Sequence, residues 1–261
     1  MNVYQHNVLD IDELRLSCRQ CRLYPVCLPA TLRHNELSEL AELLGHSDYR
    51  RGEHVFNIGD PFHCLYVVRE GSVKTWVTSM NGEVQILGFH LPGELIGLDG
   101  LLKHRHQCSA EPMEDARVCR LPYVQLEHAM REVPSLQKQL MRLISREFVL
   151  EHEHLVLMSG RPALERLGLF LQTLMHRREL LGADPMAFTM SMSRVDLANY
   201  LALATETVSR LFAEGPHVVT PGSKMPIQRM PDAADRQALI AYIERHAMPD
   251  ENRPAGSQQR E

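Results

Sequence analysis

Three cysteines stand close together near the start of the chain, in the segment C-R-Q-C-R-L-Y-P-V-C. They are Cys18, Cys21 and Cys27. Thiolates are the preferred ligands of soft metal centres such as zinc and iron–sulfur clusters. Three of them can converge on one centre if the chain wraps around it, which a short loop containing a turn residue such as Pro25 allows. The spacing therefore predicts a cysteine-ligated metal site in an N-terminal loop over residues 1–33.

A second set of candidate residues lies further along the chain, on a short helix predicted to begin at Thr205. Glu206, Ser209 and Arg210 share the face of this helix opposite its apolar residues, and Thr205 and Thr207 are included with them as candidate DNA-binding residues. Arginine can bond guanine O6 and N7, glutamate can accept a hydrogen bond from cytosine N4, and serine adds an adaptable hydrogen bond. These residue types predict that the helix reads base edges in a major groove of DNA.

The composition of the chain limits its class. The 261 residues are 44% hydrophobic and 23% charged, which is ordinary for a globular protein. No run approaches the ~20 apolar residues of a membrane span, and the start lacks a signal peptide, so we expect a cytoplasmic protein. In that reducing compartment clustered cysteines bind metal more often than they form disulfides. The net charge of −5 argues against a protein that coats nucleic acid indiscriminately.

Residues 34–133 are predicted to form an antiparallel β-roll or jelly roll that serves as a sensor domain. Short apolar and β-branched runs alternate with glycines from about Tyr49 to Pro122. The clearest runs are Leu65–Arg69, Val73–Val77 and Val84–His90. The last two are joined through Met80-Asn81-Gly82, and Asn-Gly suits a tight hairpin turn.

A long helix is predicted over residues 134–160, because no proline or glycine interrupts the chain between Pro134 and Gly160. Residues at alternating spacings of four and three form a coiled-coil seam on it, which we predict to pair two copies of the chain. The predicted seam is Leu136, Leu140, Leu143, Glu147, Leu150, His154 and Leu157, with Glu153 adding charge beside it. A second stripe, of Met141, Ile144, Phe148 and Leu155, is predicted to face the roll. The alternative is a helix whose seam packs on its own roll.

Residues 161–248 are predicted to form a winged helix-turn-helix, and the polar tail over 249–261 is predicted to be disordered. The predicted elements are a helix over Leu164–Leu180, a strand over Ala187–Met192, a helix over Arg194–Leu203 capped by Ser193, and a wing of Val218–Thr220 and Met225–Arg229. Gly215-Pro216 is predicted to end the second helix of the motif early. The whole chain is thus assigned to the α+β class.

Several motifs together resemble the CRP/FNR superfamily of transcription regulators. D-L-A-N-Y-L-A-L-A-T-E-T-V-S-R is similar to its DNA-binding signature, and F-N-I-G-D, R-E-G-S-V-K and L-P-G-E-L-I-G are similar to the turns of its sensor barrel. The cysteines narrow the resemblance to the oxygen-responsive FNR branch, the fumarate and nitrate reduction regulators. The resemblance covers about Cys18 to Arg229.

The resemblance implies a cofactor and partners. It implies a [4Fe-4S] cluster held by Cys18, Cys21, Cys27 and a fourth ligand, Cys119, in R-V-C-R-L-P-Y. It also implies a homodimer that binds palindromes of TTGAT-like half-sites on double-stranded DNA and works with RNA polymerase. A cysteine-ligated zinc site and a cluster-independent CRP-like regulator remain open as alternatives.

The two remaining cysteines are interpreted differently. Cys64, in H-C-L-Y-V-V, is predicted to face the core as a small hydrophobic residue. Cys108 stands where the cyclic-nucleotide-binding relatives of the superfamily place an arginine for the phosphate. A buried phosphate without that arginine would lack its charge-assisted partner, so we expect no cyclic nucleotide ligand.

A remote alternative is a cupin-like metalloenzyme. His104 and His106, followed by Glu111, are the residue types of a two-histidine, one-carboxylate metal site in a small β-barrel. The surrounding glycine spacing does not match that family, and K-H-R-H-Q is more typical of a solvated loop. We therefore expect no enzyme activity.

Overall fold

The computed structural model describes residues 18, 21–31, 45–182 and 190–219. The chain divides into two compact units. The first comprises Met1–Leu155 with Leu180–Gly182, and the second comprises Val156–Glu179 with Ala183–Glu261. The predicted tail over 249–261 lies outside the described residues.

The described part of the first unit is built around two antiparallel sheets. Its strands are β1 Gly45–Tyr49, β2 Cys64–Glu70, β3 Val73–Thr78, β4 Val84–His90, β5 Leu95–Ile96, β6 Ser109–Pro112 and β7 Ala116–Pro122. One sheet has the strand order β1-β7-β2-β5 and the other the order β4-β3-β6. Short 3₁₀ helices at Leu28–Thr31 and Leu98–Gly100 complete these elements. The predicted antiparallel roll is confirmed.

The β3–β4 hairpin also follows its prediction. Its loop is closed by the Ser79 amide, which donates to the Glu83 carbonyl at 2.8 Å. Gly82 takes a φ of 79°, in the left-handed region where a side chain would be strained. The Asn-Gly pair therefore does place the turn.

Strand β2 is buried on both faces, and this decides the layering of the first unit. Cys64, Tyr66 and Val68 alternate toward a core that also contains side chains of β3 and β6, between the two sheets. Leu65 and Val67 point the other way, into a second core shared with the helices that follow β7. A strand with two apolar faces needs a cover on each side, so helices must pack on the outer face of this sheet.

Two helices supply that cover, α1 Tyr123–Glu132 and α2 Pro134–Met158. Helix α2 confirms the predicted long helix, and its 25 residues span about 37 Å. Helix α1 was not predicted, because its residues were included in the roll. Leu126 of α1 is fully buried, and Tyr123, Ala129 and Met130 pack partly buried against the same core, so the helix has an apolar stripe at helical spacing that the prediction overlooked.

The two stripes of α2 are exchanged relative to the prediction. Leu136, Leu140 and Leu143 are only 1–3% exposed and lie in the core of their own chain, so they cannot form a seam with a second chain. The reason is the outer apolar face of the β1-β7-β2-β5 sheet, which the first turns of α2 cover. Glu147 is also buried, and its Oε1 accepts from the Leu95 amide at 3.3 Å.

The stripe predicted to face the roll is instead largely exposed. Met141, Phe148 and Leu155 are 51%, 61% and 67% exposed, whereas Ile144 is half-buried against the core. Of the other predicted seam residues, Leu150 and His154 are half-buried, Glu153 is exposed and Leu157 is buried. The structure therefore corrects the predicted roles of the two faces of α2.

The second unit contains three helices in its described part, α3 Ala163–Glu179, α4 Arg194–Tyr200 and α5 Thr205–Val219. They correspond to the three helices predicted for this region. Helix α5 continues through Gly215-Pro216, so the predicted early stop is wrong. A proline removes one amide donor and crowds the preceding turn, which a helix can tolerate at a cost.

The predicted small β elements of this unit have a different outcome. Val218 and Val219, assigned to the first strand of the wing, belong to α5, and the rest of the wing lies outside the described residues. Residues 187–189 of the predicted strand also lie outside them, and 190–192 are not a strand. Over the described parts of the chain, no helix has both the length and the apolar character needed to cross a membrane.

Candidate metal centre and candidate nucleic-acid interface

Four cysteines line one pocket in the first unit, which we call the cysteine pocket. They are Cys18, Cys21, Cys27 and Cys119, the four residues that the resemblance implied as ligands. The remaining lining consists of Leu23, Tyr24, Leu28, His46, Val67, Arg69 and Leu121. The fold thus brings a strand cysteine to the three cysteines of the N-terminal loop.

Cys119 reaches the pocket because of strand register. It lies opposite His46 of β1 on one side and Val67 of β2 on the other. Directly paired residues of antiparallel strands share a face of the sheet, so all three side chains lie on the outer face. Cys119 is accordingly packed against the core of Leu65, Val67 and α2 rather than between the sheets.

The N-terminal part of the pocket is held by tight backbone turns. The Cys21 amide donates to the Cys18 carbonyl at 3.2 Å, and the Cys27 amide donates to the Leu23 carbonyl at 2.9 Å. Leu23 and Leu28 are 1–2% exposed and anchor this segment. The Gln139 side chain of α2 donates to the Cys27 carbonyl at 3.1 Å, which ties the loop to the helix.

Burial raises the pKa of three pocket thiols, those of Cys18, Cys27 and Cys119, and so keeps them protonated when no metal is bound. Burial raises the pKa of Cys18 to about 11 and that of Cys27 to about 12. Burial also raises the pKa of Cys119, and Arg69 opposes this increase by favouring the thiolate. A metal that binds here must therefore displace protons from buried thiols.

The pocket has the donor chemistry of a thiolate-ligated metal centre. All six cysteines of the chain are free, so the four in the pocket are available as ligands. Within the described residues, no three His, Cys, Asp or Glu side chains form a group that could hold a metal ion as they stand. The thiols thus share a pocket, and binding a metal requires their side chains to adjust.

Two pocket residues were not found by sequence reasoning, His46 and Arg69. The Arg69 Nη1 lies 3.0 Å from His46 Nε2. Burial lowers the pKa of His46, and the nearby charges of Arg69 and Arg117 lower it further. Only the pairing of His46 with Cys119 across β1 and β7 reveals this neighbourhood, and no sequence motif signals it.

The other two cysteines lie elsewhere in the roll. Cys64 is 3% exposed in the core between the sheets, as predicted for a small hydrophobic residue. Cys108 is also buried there, and its amide donates to Asp99 Oδ2 at 3.2 Å. The same carboxylate accepts from the Gln107 amide at 2.6 Å. The Asp99 carboxylate thus accepts hydrogen bonds from the backbone amides of both Gln107 and Cys108.

The three residues of the cupin-like alternative have separate surroundings. His104 is exposed, and His106 stacks on Phe56 with ring centroids 3.7 Å apart. The carboxylate of Glu111 lies 3.8 Å from Lys74 Nζ. These partners are those of a loop and a core histidine, not of a shared metal site.

The second unit contains a two-helix motif formed by α4 and α5. Ser193 caps α4, as predicted, because its hydroxyl accepts from the Asp196 amide at 3.0 Å. In the intervening turn Ala202 takes a φ of 48°, and the Leu203 amide donates to the Ala198 carbonyl at 2.8 Å. A tight turn of this kind between two short helices is typical of a helix-turn-helix.

Packing beneath this motif fixes the angle between its helices. Leu197, Leu201 and Val208 are at most 1% exposed and form the inner face. The Arg166 guanidinium, on α3, donates to the Leu201 carbonyl at 3.1 Å and to the Ala202 carbonyl at 3.4 Å. Arg166 was not predicted, and it satisfies carbonyls that the end of α4 leaves without helical partners.

The residues predicted to read DNA occupy the outward side of α5. Thr205, Glu206 and Arg210 are exposed, whereas Thr207 and Ser209 are half-buried. All five lie in the first two turns, on a helix whose Val208 faces inward. A recognition helix contacts base edges with residues of this part, so the geometry is suitable for a major groove.

Comparison with known proteins finds a family match in each of the two units. Residues 46–133 match the family model "Cyclic nucleotide-binding domain", and residues 190–214 match "Bacterial regulatory proteins, crp family". The transcriptional activator protein Anr of Pseudomonas protegens is 41% identical over 196 residues, which cover 75% of this chain and 80% of that protein. The fumarate and nitrate reduction regulatory protein of Vibrio cholerae is 36% identical over 197 residues, which cover 75% of this chain and 79% of that protein.

A solved structure supports the same assignment. FixK2 from Bradyrhizobium japonicum superposes with a TM-score of 0.60 at 27% sequence identity, covering 75% of this chain and 95% of that one. The relatives are transcription regulators, so the cupin-like alternative is wrong and the chain is not an enzyme. The two-sheet roll, the helix-turn-helix and these similarities together show that the chain belongs to the CRP/FNR family of DNA-binding transcription regulators.

Proposed function

We propose that this chain is an oxygen-responsive regulator whose [4Fe-4S] cluster controls dimerisation and DNA binding. Cys18, Cys21, Cys27 and Cys119 would hold the cluster, which supplies an iron centre that oxidants can attack. The observation that carries the proposal is that these four thiols line one pocket, although 91 residues separate Cys27 from Cys119. Relatives whose names refer to anaerobic or fumarate and nitrate regulation support it.

A physical connection leads from the pocket to helix α2. Gln139 of α2 bonds the Cys27 carbonyl, and Leu136, Leu140 and Leu143 share a core with Cys18 and Cys119. Because these groups are closely packed, a change in the conformation of the loop around the pocket would displace the first half of α2. This gives the bound metal a route to the exposed side of the same helix.

That exposed side is the face we propose for the homodimer. Met141, Phe148 and Leu155 recur every seven residues, which is the repeat that lets two helices pair along one stripe. Three large apolar side chains in line are costly to leave in water, and a second copy of α2 would cover them. This face replaces the seam expected from sequence.

We further propose that the dimer binds palindromes of TTGAT-like half-sites through Glu206, Ser209 and Arg210, supported by Thr205 and Thr207. Such a regulator acts where the DNA is, in the cytoplasm. Two relatives are named as activators, which supports RNA polymerase as a further partner. The Asp99 carboxylate beside Cys108 would repel a phosphate, which supports the proposal that no cyclic nucleotide binds.

Anaerobic purification tests the cluster directly. We expect a brown protein with about four irons and four sulfides per chain, whose visible absorption bleaches in air. DNA binding to a palindrome of TTGAT half-sites should be tight before exposure to air and weak after it. The matched control is the Cys64→Ala variant, which retains all four pocket thiols.

Two results would contradict the proposal in different ways. A colourless protein that contains zinc would favour the alternative of a cysteine-ligated zinc regulator. Equal DNA binding by metal-free and metal-loaded protein would favour a cluster-independent regulator of the same family.

A further inference from the structure

The cysteine pocket contains one polar atom whose partner is missing among the described residues. His46 lines the pocket, and its Nδ1 is buried without a hydrogen-bond partner. A buried imidazole nitrogen that makes no hydrogen bond costs free energy comparable to a lost bond. Such an atom in a pocket of thiols calls for a ligand that can satisfy it.

The other ring nitrogen determines what kind of partner Nδ1 needs. Arg69 Nη1 lies 3.0 Å from His46 Nε2, and a guanidinium can only donate. Nε2 must therefore accept, and in an imidazole that accepts at Nε2 the ring proton is on Nδ1. The unpartnered atom is thus a donor, and it requires an acceptor.

The position of His46 indicates which acceptor. His46 and Cys119 are directly paired across β1 and β7, so their Cβ atoms lie about 4.5–5.5 Å apart on one face of the sheet. The rest of the pocket lining consists of three further thiols, apolar side chains, Tyr24 and Arg69. On the wall of the pocket that the sheet forms, the acceptor beside His46 is the sulfur of Cys119, whereas Tyr24 belongs to the N-terminal segment.

We propose that His46 is a positioning residue for the metal centre, whose Nδ1–H donates a hydrogen bond to sulfur in the pocket, with Arg69 fixing the ring tautomer. The acceptor is either the Cys119 thiolate or a sulfide of the bound cluster. Hydrogen bonds to sulfur make an iron–sulfur centre harder to oxidise, so His46 slows its loss in air. This inference rests on the proposed function, because it assumes a thiolate-bound centre in this pocket.

The test compares three variants with the wild type. His46→Leu removes the donor at similar size, His46→Asn keeps an amide N–H near the position of Nδ1, and His128→Leu changes an exposed histidine of α1. Each protein is reconstituted anaerobically, its iron and sulfide are measured, and its bleaching in air is timed. Resonance Raman spectra of the Fe–S stretching modes report the hydrogen bond independently of any activity.

We expect equal iron and sulfide in all four proteins. His46→Leu should bleach about threefold to tenfold faster than wild type, because one hydrogen bond to a charged acceptor is lost. His46→Asn should restore a rate within about twofold of wild type, and His128→Leu should match it. The Raman bands should shift in His46→Leu only.

Two outcomes would overturn the inference. Unchanged bleaching and unchanged Raman bands in His46→Leu would show that Nδ1 does not bond sulfur. Loss of iron in His46→Leu, as severe as in a cysteine variant, would make His46 a ligand instead of a positioning residue.

Failure of the proposed function is recognised separately, by a wild type that takes up no iron and sulfide. In that case cobalt(II) added anaerobically provides a second readout. Its sulfur-to-metal absorption band should move to longer wavelength in His46→Leu and return in His46→Asn. An unmoved band in His46→Leu would overturn the inference even without a cluster.

Discussion

The cysteine pocket and the helix-turn-helix are constructed in opposite ways. The pocket takes its lining from residues between Cys18 and Leu121, and its parts meet only through strand pairing and the packing of α2. The helix-turn-helix is formed by neighbouring residues, from Ser193 to Val208, and α3 supports it through Arg166, which donates to two of its carbonyls, and through Phe170, which contacts Tyr200. A site formed by residues close in sequence should tolerate substitutions elsewhere in the chain. A site formed by residues far apart in sequence depends on the folding of the whole unit that brings them together.

The largest expected effect comes from replacing Cys119, the pocket cysteine that is most distant in sequence from the other three. Cys119→Ala should abolish iron uptake as fully as Cys21→Ala does, because either change leaves three thiols for a centre that uses four. Cys64→Ala is the matched control, since Cys64 lies in the same sheet but faces the core between the sheets. Iron analysis after anaerobic reconstitution measures the difference. Normal iron content in the Cys119→Ala protein would remove Cys119 from the site.

The next prediction compares a substitution on the buried face of α2 with one on its exposed face. The buried face is the one that shares a core with the pocket. Leu140→Ala should lower the free energy of unfolding by about 2–4 kcal/mol, because a buried side chain leaves a cavity in the core. Phe148→Ala should leave monomer stability nearly unchanged and weaken the anaerobic dimer by about 2 kcal/mol, roughly thirtyfold in Kd.

Urea denaturation and sedimentation of the metal-loaded protein measure these two quantities. The reverse result, in which Leu140→Ala dissociates the dimer at unchanged stability, would restore the seam expected from sequence.

A smaller effect tests the local site by its function. Arg210→Ala should cost about 1–3 kcal/mol on the preferred half-site and reduce discrimination at one base pair. Binding to a set of half-sites with single base changes, at fixed salt, measures it. A uniform loss on every sequence would make Arg210 a phosphate contact. Metal loading should stay at the wild-type level, because the two sites are built from separate parts of the chain.

The smallest expected effect tests the turn of the local site. Ala202 is exposed and has a φ of 48°, a conformation that strains a residue with a Cβ. Ala202→Gly should raise the free energy of unfolding by about 0.5–1 kcal/mol, after the extra chain entropy of glycine is subtracted. Thermal unfolding of the metal-free protein measures the change. A loss of stability would mean that the methyl group makes a compensating contact.

Much of the local structure could be predicted from the sequence. The β3–β4 hairpin follows from Asn81-Gly82, the long helix from the absence of proline and glycine after Pro134, and the cap of α4 from Ser193. Each of these depends on a few neighbouring residues whose backbone preferences act directly. Helix α1 was missed although Tyr123, Leu126, Ala129 and Met130 form an apolar stripe at helical spacing, because its ten residues were included in the roll.

The sequence by itself determined the residue types of both sites, because thiols at close spacing and polar residues on one helical face are local patterns. The tertiary structure alone decided which face of α2 is buried, since both stripes are apolar and only the outer face of the sheet selects between them. It also decided that His46 and Arg69 border the thiols. Strand register sets such neighbours, and register is fixed by the packing of the whole sheet rather than by any short segment of chain.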